Sequence, residues 1–96
     1  MSYSFSVTGP DKESALKSVE QAMAEVVAGQ PIHARDKDVV AANAAGAVGL
    51  LADDATQDVG VSVCGSLGWN PGEPGKEELT TVSVAVTAWL VRRDAA

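Results

Sequence analysis

Three stretches of this chain alternate apolar and small residues with a period of two, and that alternation restricts the fold more than any other feature. Successive side chains of an extended strand point to opposite faces, so each stretch defines its own inside and outside. Residues 2–8 read S-Y-S-F-S-V-T, with Tyr3, Phe5 and Val7 on one face and Ser2, Ser4, Ser6 and Thr8 on the other. Residues 59–69 read V-G-V-S-V-C-G-S-L-G-W, setting Val59, Val61, Val63, Leu67 and Trp69 against Gly60, Ser62, Cys64, Ser66 and Gly68. Over residues 79–91 the same spacing predicts Val82, Val84, Val86, Ala88 and Leu90 inward and Thr81, Ser83, Ala85, Thr87 and Trp89 outward.

Between the first two stretches the period lengthens. Ala15, Leu16, Val19, Ala22, Met23, Val26 and Val27 recur at helical spacing behind Asp11, a suitable N-cap, and Gly29 stands where a C′ glycine belongs, with Pro31 beyond it. A helix is expected over residues 12–28. A second starts after Pro31, with Asp36 and Asp38 in its first turn and Val40, Ala44, Ala47, Val48 and Leu51 as its apolar stripe. It also carries Ala42, Ala45, Gly46 and Gly49 at short spacing. Interior glycines cost about 1 kcal/mol each relative to Ala, so the first helix or the sheet is expected to come close to that surface, ahead of a second subunit.

The order β-α-α-β-β defines an α+β two-layer sandwich, in which a three-stranded, antiparallel-rich sheet carries both helices on one face. Ninety-six residues without a second composition zone read as a single domain spanning residues 1–96. Of the apolar 46%, 16 residues are Ala and 14 are Val, so the core is built from short side chains and extra burial from a partner or a second copy is expected.

Thirteen acidic residues against seven basic ones give a formal charge of −6, which disfavours direct binding to nucleic acid or to anionic membranes. Residues 1–9 lack the charged and apolar regions of a signal peptide, and the weakly polar residues 39–52 are too short to span a bilayer. Cys64 is the only cysteine, which fits a reducing compartment. A cytoplasmic location is the expectation.

No chemical motif survives inspection. His33 is the only histidine and has no cysteine near it in sequence, so it reads as a capping or surface residue. Asp53, Asp54 and Asp58 lack the alternating ligands, central Gly and terminal Glu of a calcium loop. The G-S-L-G run at residues 65–68 lies within a strand, where a nucleophile elbow needs a strand-to-helix turn. The glycines at 60, 65 and 68 do not form a phosphate-binding fingerprint, and Cys64 has no neighbouring cation to activate it. No enzyme activity, metal or cofactor is expected.

The outward faces carry the stronger signal. Solvated sheet faces ordinarily hold Lys, Glu, Arg or Gln, whereas the outward positions named above, with Trp89 among them, hold no charge. A smooth neutral face can pack on a second sheet at about 10 Å separation. The sequence therefore predicts a homo-oligomer with Ser62, Cys64, Ser66, Ser83, Thr87 and Trp89 at its interface. Residues 70–78, N-P-G-E-P-G-K-E-E, read as an exposed, mobile hairpin loop. Its Glu73, Lys76, Glu77 and Glu78 are candidates for contact with a partner protein.

The segments S-Y-S-F-S-V, G-Q-P-I-H-A-R-D, V-S-V-C-G-S-L-G-W and V-S-V-A-V-T-A-W-L-V give the chain a likeness across most of its length. It resembles small uncharacterised proteins encoded by tailed bacteriophages. That resemblance implies a phage setting, with virion association as one form of it, and transfers no activity or functional residue. The function expected is a non-enzymatic protein–protein interaction component: a phage accessory or assembly protein, or a small inhibitor binding a host factor. The alternative is a small-ligand module, in which subunits enclose a nucleotide or similar molecule between Trp69, Trp89 and the Ser/Thr face.

Overall fold

The computed structural model describes residues 2–30, 32–33, 35–70 and 78–92. Along the chain run β1 (Ser2–Gly9), α1 (Lys12–Gly29), α2 (Asp36–Gly49), β2 (Gln57–Asn70) and β3 (Glu78–Arg92). The strands form one antiparallel sheet in the order β1-β2-β3, and both helices pack on one of its faces, α1 mainly over β1 and α2 mainly over β3. This is the α+β arrangement that the alternation and helical spacing imply. None of the described helices is long and apolar enough to cross a membrane.

Alternation places Tyr3, Val59, Val61, Val63, Leu67 and Leu79 inward, where they meet Ala15, Val19 and Met23 of α1 and Val40, Ala44 and Val48 of α2 in one buried cluster. Short Val and Ala side chains make up most of this layer, and Tyr3, Met23, Leu67 and Leu79 supply its larger ones. Asp11 caps α1, its carboxylate accepting the Ser14 N–H at 2.7 Å. The α1 end differs from expectation: Gly29 is the last helical residue, and the chain leaves through Gln30 in an extended conformation rather than through a left-handed glycine.

The register corrects the reading of β3. Ser66 pairs with Ser83 but Leu67 pairs with Thr81, so Val82 is an extra residue, a β-bulge. The bulge reverses the faces on its near side. Thr81, expected outward, turns inward, and Val82, expected inward, is 65% exposed on the outer side. The inward turn satisfies a buried carboxylate: Asp36 at the start of α2 is 4% exposed, and its Oδ2 accepts the Thr81 N–H at 2.9 Å and the Thr81 hydroxyl at 2.6 Å. The single Thr81 hydroxyl proton is thereby committed, so the Tyr3 hydroxyl is the donor in its 3.1 Å bond to Thr81 Oγ1. One chain of hydrogen bonds thus ties α2 through β3 to β1.

Two further expectations are revised. Gly46 and Gly49 of α2 face open space, and Ala42 and Ala45 are exposed, so neither α1 nor the sheet approaches that surface. β2 extends to Asn70 and β3 begins at Glu78, which pair with each other, so the connection is residues 71–77. Glu73, Lys76 and Glu77 lie outside the described residues.

Candidate interaction face

The outer side of the sheet is the surface that the sequence singled out, and the register arranges it in rows. Ser2, Ser66 and Ser83 form one row, followed by Ser4, Cys64 and Ala85, then Ser6, Ser62 and Thr87, and finally Thr8, Gly60 and Trp89. No described element covers these rows. Cys64, Ser66, Ser83, Ala85 and Thr87 are exposed, Ser62 is half-buried between its neighbouring strands, and none of the four rows holds a charge. Asp58, one position beyond the last row, marks its boundary.

Every predicted interface residue, Ser62, Cys64, Ser66, Ser83, Thr87 and Trp89, therefore lies on this one face. The two tryptophans do not meet. Trp89 stands opposite Gly60, and its indole occupies the space above that glycine, where a Cβ would fall 2.6 Å from Trp89 Cε2. Trp69 lies nine residues further along β2, opposite Leu79 and 60% exposed. At about 3.3 Å per residue that separation is roughly 30 Å, and an odd offset puts the two side chains on opposite sides of the sheet. One small ligand cannot bridge both within a chain.

Elsewhere, a cleft of about 300 Å³ lies between the start of α1 and the loop leading into β2, lined in part by Asp11, Lys12, Asp53, Asp54 and Gln57. Its polar groups are engaged with each other. Lys12 Nζ donates to the Leu51 carbonyl at 2.7 Å and pairs with Asp53 at 2.8 Å. Hydrogen bonding to Lys12, reinforced by its charge, holds the Asp53 carboxyl below its ordinary range. Asp54 accepts from the Thr56 N–H and hydroxyl with one oxygen and from the Gln57 side-chain amide with the other. This is a turn that organises itself, and sequence spacing did not single out its link to Lys12.

His33 is similarly occupied with structure: its Nδ1 accepts the Arg35 N–H at 3.2 Å, and its own N–H donates to the Leu79 carbonyl at 3.0 Å. Burial, aided by the nearby negative Asp36, raises the Tyr3 hydroxyl above the ordinary tyrosine value. Among the described residues, no three His, Cys, Asp or Glu side chains converge in a metal-binding arrangement.

No family model, curated protein or solved structure matches the chain. The class of molecule is thus defined by its own architecture: an α+β sandwich with one neutral sheet face uncovered by the described residues.

Proposed function

We propose that this protein is a non-enzymatic protein–protein interaction component that works as a homo-oligomer, with copies meeting through the outer sheet face. The observation that carries the reading is the row structure from Ser2/Ser66/Ser83 to Thr8/Gly60/Trp89, a charge-free surface on a chain of net charge −6. Copies of an acidic chain repel one another over most of their surface, and this face is where that repulsion is weakest. Val82 and Trp89 add exposed apolar area at its two ends. The resemblance to phage-encoded proteins supports reading the assembly as an accessory or assembly factor in an infected host cell, or as an inhibitor of a host protein.

Light scattering and thiol accessibility test the reading together. The wild-type protein is expected to exceed the 9.8 kDa of one chain at micromolar concentration, with Cys64 shielded from a thiol reagent. Ser83→Lys is expected to separate the copies joined through the face and expose Cys64, because an unpaired charge in such an interface is costly. A monomeric wild type with a freely reactive Cys64 would overturn the proposal.

A further inference from the structure

We propose that the free edge of β1 pairs antiparallel with β1 of a second copy, with Phe5 on the twofold axis, so that two three-stranded sheets become one of six strands. This is a contact separate from the outer face, and it stands on the backbone.

The two edges of the sheet are treated differently. On β3, Ile32 forms a parallel bridge to Leu79, His33 donates to the Leu79 carbonyl, Asp36 accepts the Thr81 N–H, and the Val82 bulge follows. Bulges and covering segments of this kind keep an edge from recruiting another strand. On β1 none of these devices is present among the described residues. The strand pairs with β2 through eight successive positions without a register shift, and residues 2–9 contain no charge and no proline. Its other edge consequently offers a regular row of N–H and carbonyl groups that a further extended strand would satisfy.

The chemistry around that edge selects a second copy as the occupant. Glu20 and Ala24 of α1 line the groove toward Lys37, Asp38 and Ala41 of α2, so the opposite flank of α1 overhangs the β1 edge. Helical spacing puts the half-buried Ser14, Ser18 and Ala22 there, with the exposed Glu25 on the same flank toward the end of α1. With no charge in residues 2–9, the edge itself gives a charged partner nothing to recognise, and the small side chains at 14, 18 and 22 leave room for two α1 helices to lie side by side. Phe5 and Val7, half-buried at the edge, would gain cover from the second copy.

Symmetry restricts the register to a few centres, and Pro10 selects among them. A twofold axis perpendicular to the sheet keeps both outer faces on one side, which requires paired positions of equal parity. Centring on Phe5 sets Phe5 opposite Phe5, Ser4 opposite Ser6, Tyr3 opposite Val7 and Ser2 opposite Thr8 of the other copy. Centring on Ser6 would bring Pro10, which has no N–H to give, opposite Ser2. The area argues the same way. Three strands at about 4.8 Å spacing and four rows give an outer face of roughly 400 Å², about half of what each partner contributes to a standard interface, and joining two sheets doubles it.

Charge pairs on β1 test the edge with the face disabled. Ser83 is two strands from the β1 edge, so S83K removes the face contact alone, and the resulting protein is expected to remain a dimer near twice 9.8 kDa. On that background S4K/S6K opposes like charges across the proposed pair, whereas S4K/S6E opposes unlike ones. Both alter exposed positions. The dimer dissociation constant is expected to be about tenfold or more weaker for S4K/S6K than for S4K/S6E. Amide exchange supplies the second readout, with uninterrupted protection across residues 3–8 in the S83K dimer. A folded S83K monomer, equal affinities for the two charge variants, or fast exchange at alternate β1 amides in an S83K dimer would each overturn the edge pairing, whatever the wild-type mass says about the face.

Discussion

Tyr3 and Gly65 stand directly opposite each other on β1 and β2, and the phenol ring fills the space that a side chain at 65 would need. A Cβ there would collide with the ring of a residue that is itself 6% exposed and hydrogen-bonded at its far end to Thr81. Trp89 and Gly60 repeat the relationship between β3 and β2 on the outer side. Each glycine is covered by an aromatic neighbour, which restores contacts that a bare backbone lacks.

Gly65→Ala is therefore expected to destabilise the fold by roughly 1–3 kcal/mol, the usual range for overpacking a site that cannot expand. Gly60→Ala is expected to cost less, because Trp89 is 38% exposed and free to swing outward. Urea unfolding compares the two stabilities, and tryptophan fluorescence on a Trp69→Phe background reads the displaced indole.

The carboxylate of Asp36 accepts both the N–H and the hydroxyl of Thr81. Asp36→Ala leaves both donors facing a dry interior, and a loss of about 3 kcal/mol is expected. Faster amide exchange at Thr81 should accompany it, since that N–H has its partner in α2 rather than in β2. A stability change below about 0.5 kcal/mol would contradict this role for Asp36.

This network also shows where sequence reading stops. The strands were legible because small and apolar residues alternate, and the helices because Val19, Met23, Val40, Ala44 and Val48 keep helical spacing. The bulge was not. Val82, Ser83 and Val84 continue the alternation without a glycine or proline to mark a break, and only Asp36, distant in sequence, determines that Thr81 turns inward. Asp36 itself read as an ordinary first-turn acid. The outer face was legible because a missing charge is a property of composition. The difference between the two sheet edges was not, since it depends on Ile32 and Asp36 reaching β3.

Tyr3 is the only tyrosine, so absorbance near 295 nm reports its titration alone. Burial, aided by Asp36, raises its folded value above the ordinary value near 10, so the folded chain holds this proton more tightly than the unfolded one. The stability from this group is complete below the unfolded value and is lost as pH rises through the folded one. Alkaline unfolding setting in above about pH 10 is expected, with a weaker pH dependence in Tyr3→Phe. The phenylalanine variant should also lose about 1 kcal/mol at neutral pH with the bond to Thr81.

Lys12 governs the opposite end of the pH range. Its pairing depresses the Asp53 carboxyl, so this contribution is present above the unfolded value near 3.8 and is lost as pH falls through the folded one. Lys12→Met is expected to return Asp53 toward its ordinary titration, followed by carbon-detected NMR of the side chain. It should also loosen the loop at Leu51, whose carbonyl loses its ammonium donor.

Gly46 and Gly49 give the most direct test of the corrected packing of α2. A Cβ at either position would meet nothing within 4 Å, and neither backbone lies in the left-handed region that favours glycine. Alanine at such sites restricts the unfolded chain without straining the helix, so Gly46→Ala should stabilise by about 0.5–1 kcal/mol. Gly49→Ala should gain less, because Gly49 is the last residue of α2 and the Leu50 and Leu51 N–H groups already close the helix by donating to the Ala47 and Val48 carbonyls, respectively. Thermal unfolding of the double variant is expected to show a higher Tm. If the substitutions instead destabilise the protein, another surface must approach this face of α2 in solution, and the change should then depend on protein concentration.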